Sequence, residues 1–65
     1  MEIVLFDARY YYISFVELYD EDEDSVISFY ELIEKPDRTI GVYDNYHHAQ
    51  REMDRRINWI GPSYL

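Results

Sequence analysis

The sequence predicts an α+β fold, an antiparallel sheet of three to four strands with one C-terminal helix packed on one face. Three observations carry that prediction. Runs dense in Val, Ile, Phe and Tyr recur between turn residues over the first two thirds of the chain. Two of these runs share a pattern, Ile13-Ser14-Phe15-Val16-Glu17-Leu18 and Ile27-Ser28-Phe29-Tyr30-Glu31-Leu32, on either side of a run of acids. The last third places apolar residues at helical spacing. With 65 residues the chain has room for one domain, 1–65, and not for two.

Taken in order, Glu2–Asp7 (EIVLFD) is short, apolar and rich in branched side chains, and reads as a strand. Arg9–Tyr19 is a second, longer strand by the same criterion. Asp20–Asp24 (DEDED) is five consecutive acids that must stay solvated, hence a loop. Ser25–Glu34 fits either state. Asp24 or Ser25 would cap a helix that Lys35-Pro36 ends, whereas its Val, Ile, Phe and Tyr content suits a strand.

The shared I-S-F-x-E-L pattern favours the strand. Folding the chain back about Asp22 sets Phe15 opposite Phe29 and Val16 opposite Ser28. An aromatic cross-strand pair of this kind contributes roughly 0.2–1 kcal/mol. The expectation is therefore a β-hairpin with the acidic run at its tip. Pro36-Asp37 marks a turn, and Thr39–Tyr43 is a fourth, short strand. Asp44 or Asn45 then caps a helix whose apolar residues, Tyr46, Ala49, Met53, Ile57 and Ile60, fall on one face. Gly61 and Pro62 end it.

Charge is the most informative property of the chain. Residues 1–34 hold ten acids against Arg9 alone, a net of −9, while the remainder carries +1. Such a surface repels nucleic acid and anionic lipid and attracts basic partners. A hydrophobic content of 48% sets the chain apart from a disordered acidic tail. With no cysteine there is neither a disulfide nor a thiolate metal site, so stability rests on apolar burial. The longest nearly apolar run, Tyr10–Val16, is far shorter than the roughly 20 residues of a membrane span. Glu2 stands where a signal peptide would be basic. A cytosolic protein without membrane association is expected.

Catalytic groups do not converge. His47 and His48 are helix neighbours pointing roughly 100° apart and cannot grip one metal together. Asp44 with His48 makes at most a two-ligand set. The serines lack a nucleophile-elbow setting, and Gly41 and Gly61 are isolated, so no loop cradles phosphate. The acidic run lacks the spaced ligands and glycine of a calcium loop. Glu17 with Glu31 imitates a general acid–base pair but has no cleft. No catalytic residue, metal or cofactor is expected.

The eight tyrosines exceed what so thin a fold buries, so several rings reach the surface, where tyrosine favours interfaces. In Tyr10–Tyr12 the rings must alternate faces. Glu17, Glu31 and Glu34 lie on the strands leading to and from the acidic tip. Alternate strand residues stand about 7 Å apart, comparable to successive phosphates of a nucleic-acid strand. A groove built from Lys and Arg to hold phosphates accepts such an array.

A short, cysteine-free, acidic, tyrosine-rich chain resembles the small phage-encoded inhibitors that imitate DNA, among them anti-CRISPR and anti-restriction proteins and inhibitors of nucleoid proteins. Asp20–Asp24 with Glu17, Glu31 and Glu34 carry the resemblance. It implies a monomeric inhibitor, in the host cytosol, of a basic and nucleic-acid-binding protein. Partner contacts would come from Glu17, Asp20, Glu21, Asp22, Glu23, Asp24, Glu31 and Glu34, with Tyr12 and Tyr30 packing between them. Such a protein does not itself bind nucleic acid. The alternative is an adaptor or inhibitor that uses its tyrosines and Trp59 on a partner that does not bind nucleic acid. Ile40-Gly41-Val42-Tyr43 with Ala49 and Met53 is also similar to the strand-then-helix segment of many small β-plus-α domains.

Overall fold

The computed structural model describes residues 1–58. These form strands β1 (Glu2–Asp7), β2 (Tyr11–Asp20), β3 (Ser25–Glu34) and β4 (Arg38–Tyr43), followed by helix α1 (Tyr46–Asn58). The strands make one antiparallel sheet in the order β1-β2-β3-β4, and α1 packs across β2, β3 and β4. This is the α+β architecture expected from the sequence. Ser25–Glu34 is a strand over its full predicted length. Gly61-Pro62, Ile60 and Trp59 lie outside the described residues.

The hairpin register departs from expectation by one residue. Phe15 pairs with Tyr30 and Val16 with Phe29, not Phe29 and Ser28. Two causes act together. Asp20 pairs with Ser25, which leaves a four-residue loop, Glu21–Asp24, pivoting between Asp22 and Glu23. Asp24 closes that loop at φ 50°, a left-handed conformation that Asp tolerates better than most residues. Burial fixes the same register. It sets Ile13 opposite Leu32, whereas folding about Asp22 would have set Ile13 opposite Glu31 and driven a carboxylate under the helix. The aromatic pair survives with a new member, since the Phe15 and Tyr30 rings meet at 5.2 Å.

One face of the sheet carries Ile13, Leu32, Phe15 and Tyr30. Ile13 and Leu32 are fully buried against Ala49 and Met53 of α1, with Tyr11, Ile40, Tyr43 and Tyr46 around them. A Cβ on Gly41 would stand 2.5 Å from the Tyr43 hydroxyl oxygen, so glycine leaves room for that ring to lie back along β4. Asn45 is the helix cap, its Oδ1 accepting the His48 N–H at 2.9 Å. The apolar stripe of α1 ends early. Ile57, expected in the core, is 49% exposed, although it lies one turn past Met53 on the same stripe. The last turn has run beyond the strands it could cover.

The opposite face has no layer on it among the described residues, and Val4, Leu18, Ile27 and Val42 there are exposed. The sheet also narrows. β1 pairs with β2 only as far as Val16, with two more bonds, from the Glu17 N–H to the Met1 carbonyl and from the Met1 amino group to the Glu17 carbonyl, and β4 pairs with β3 only as far as Tyr30. Beyond these points β2 and β3 continue alone as a two-stranded arm that ends in the acidic loop.

Candidate interaction surface

The arm is built from two strands that carry no cation. From Tyr10 to Glu34 the chain has eight carboxylates and no Lys or Arg. At the tip, the Asp22 N–H donates to Asp20 Oδ1 at 3.0 Å, an Asx turn that holds the loop. Tyr19, on the helix side of β2, donates its hydroxyl to Asp24 Oδ1. That bond raises the Tyr19 pKa above the ordinary phenol value, with partial desolvation adding to it, so the phenol keeps its proton. The loop is therefore ordered by its own carboxylates, which accept bonds within it and still face solvent.

Ion pairs in the described residues lie away from the arm tip. Lys35 Nζ stands 2.5 Å from Asp7 Oδ1, and Arg38 Nη1 stands 3.4 Å from Glu34 Oε1. Arg55 and Arg56 both hold Glu52, with Nη2 and Nε at 2.6 and 2.9 Å from its Oε2. The Arg55 hydrogen bonds keep the Glu52 carboxyl below the usual range, despite some desolvation. Burial raises the Tyr43 phenol, and the nearby Glu52 charge adds to that. Glu17, Asp20, Glu21, Asp22, Glu23, Asp24 and Glu31 have no cationic partner among the described residues. Each remains an acceptor for an ammonium or guanidinium from another molecule.

The expected site residues do not all come together. Glu17 shares the helix-side face with Tyr19 and sits three residues, about 10 Å, from Asp20, so it is the nearest strand carboxylate to Asp20–Asp24. Glu31 lies on the open face, opposite Ser14 and beside Val42. Glu34 is at the far end of β3, nine residues from Ser25 and so about 30 Å from the tip, where Arg38 neutralises it. Tyr12 is half-buried on the open face beside Ile33 and Asp7. Tyr30 is half-buried between Phe15 and Tyr46, its ring 6.3 Å from the latter in an edge-on contact.

Sequence reasoning missed the apolar residues of the arm. Leu18, Tyr19, Val26 and Ile27 are all exposed where the sheet is two strands wide. Their signal was present, because adjacent Val26 and Ile27 must face opposite sides of a strand. A shallow groove of about 470 Å³ lies where β4 stops, lined by Ser28, Phe29, Val42, Tyr43, Asp44 and His48. His48 Nδ1 is 3.6 Å from Asp44 Oδ1, and no group of three metal-ligating side chains occurs among the described residues. No helix of the described residues is long and apolar enough to cross a membrane. Comparison with protein-family models, curated proteins and solved structures finds no match to the chain.

Proposed function

We propose that the chain is a non-catalytic inhibitor of a basic, nucleic-acid-binding protein, and that its acidic arm occupies the groove in which that protein holds phosphates. The observation that carries this reading is a projecting hairpin whose tip carboxylates, with Glu17, lack cationic partners. Folding fixes these adjacent like charges in one ordered loop without any compensating Lys or Arg, a costly arrangement for a domain of this size unless an outside cation completes it. A two-stranded arm is narrow enough to enter a groove that admits a nucleic-acid strand or a β-ribbon. Asp20–Asp24 and Glu17 stand for phosphates, and Tyr19, Leu18, Val26 and Ile27 contact the groove walls.

A second reading has one observation in its favour. The exposed apolar residues of the arm would equally serve an adaptor or inhibitor whose partner does not bind nucleic acid. Ionic strength separates the two. If the arm replaces phosphates, the captured partner should release nucleic acid in proportion to the protein added, and its affinity should fall steeply with salt. Salt-independent binding without displacement of nucleic acid would instead establish the apolar reading.

A further inference from the structure

The arm leaves β1 unexplained. All six residues of β1 are exposed, including Ile3 at 46%, Val4 at 54%, Leu5 at 46% and Phe6 at 41%. β1 is the outer strand of the sheet, so among the described residues its far edge also presents unpaired backbone N–H and C=O groups. Edge strands are usually protected by lysine, proline, inward charge or a bulge. Here only the last is present, at Leu5, where the pairing with β2 skips a residue. The run Ile3–Phe6 has no charge and no proline.

We infer that β1 is a self-association edge: two copies of the chain pair antiparallel through β1 and join their sheets across a two-fold axis. Charge sends a basic partner elsewhere and restricts where a second copy can dock. A basic partner is drawn to the arm, because β1 offers it little: Asp7 is already bound to Lys35, and Glu2 is the other acid. A like-charged copy, in contrast, can approach a chain of net −8 only along an uncharged strip, and Ile3–Phe6 is such a strip. Antiparallel pairing about the middle of β1 brings Glu2 of one copy to Asp7 of the other, and the Lys35 bound to each Asp7 offsets that like-charge contact. It also points the two acidic arms in opposite directions, which keeps the strongest repulsion apart. The contact is isologous and closes on itself, so it yields a dimer and not a fibre. The sequence reading favours a monomer, and this inference departs from it. The inference stands independently of the proposed function.

Sedimentation velocity over a wide concentration range tests it. The wild-type chain should pass from monomer to dimer, and Val4→Lys with Leu5→Lys should raise the dissociation constant by about 100-fold or more while the circular dichroism stays unchanged. Leu18→Lys with Ile27→Lys, equally exposed but on the arm, should leave the dimer intact. A mixed sample of labelled and unlabelled wild-type chains needs no substitution and should give intermolecular contacts between β1 protons. A chain that is monomeric at every concentration overturns the inference. So does a dimer that the arm variant dissociates and the β1 variant does not, or one whose intermolecular contacts lie outside β1. Protection of the outer β1 amides in a strictly monomeric sample would place a segment of the same chain on that edge, which also overturns it.

Discussion

Ser14 pairs with Val4 on one side and Glu31 on the other, is fully buried, and leaves its Oγ without a hydrogen-bond partner among the described residues. A buried hydroxyl that has left water without replacing its bonds costs about 1–3 kcal/mol. Alanine keeps the backbone and removes the unmet group, at the cost of a small void. Ser14→Ala should therefore stabilise the fold by about 1 kcal/mol, which raises the melting temperature by roughly 4–8 °C in a domain of this size. A calorimetric melt checks it, and a lowered melting temperature would mean the hydroxyl is satisfied. The same position shows how local sequence reading runs out. Ser14 and Ser28 hold the same place in the repeated pattern, yet one is buried and the other exposed, because Ser14 lies at the broad end of the sheet between β1 and β3 while Ser28 lies on the two-stranded arm, past the last pairing with β4.

At the scale of elements, composition and turn residues were enough to place β1 and β3 at their observed limits, while β2 starts two residues later than expected and ends one later. What they did not fix was pairing. Folding about Asp22 would have put Glu17 and Glu31 on one face, and the observed pivot one half-step later puts them on opposite faces. The candidate site was thus legible as a cluster at Asp20–Asp24, which needs only adjacency, and illegible where it depended on register. The helix repeats the lesson. Periodicity identified Ala49 and Met53, but it cannot tell how far a sheet extends beneath a stripe, so Ile57 was misplaced. The energetic consequence is a contrast between two substitutions. Met53→Ala empties a fully covered site and should cost about 2–5 kcal/mol. Ile57→Ala removes a half-exposed side chain and should cost about 1 kcal/mol or less. Total stability for such a domain is on the order of 3–10 kcal/mol. In urea titrations Met53→Ala should lose most of its folded baseline, and Ile57→Ala should shift the midpoint slightly. Equal losses at both would show that Ile57 is covered in solution.

For the whole molecule, the decisive property is the separation of charge from the packed core. The helix and the broad end of the sheet hold the buried side chains and most of the ion pairs, while the tip carboxylates protrude unneutralised. This division makes a clean substitution possible. Replacing Asp20, Glu21, Asp22, Glu23 and Asp24 by Asn or Gln removes five negative charges and keeps size and polarity. Asn at position 24 still tolerates a positive φ, and Asn at 20 can still accept the Asp22 N–H, so the loop geometry should hold. Folding should survive or improve, because five crowded like charges no longer repel one another. The Tyr19 phenol should titrate closer to its ordinary value once its acceptor is a neutral amide, which gives a spectroscopic sign that the tip was altered and the rest was not. Affinity for the partner should then collapse, mostly through a slower association rate, and the remaining binding should depend less on salt. Binding and inhibition that match the unaltered chain would rule out phosphate mimicry by this run. The carboxylates would then be solubilising, and the contact would pass to the apolar sides of the same arm, Leu18, Tyr19, Val26 and Ile27.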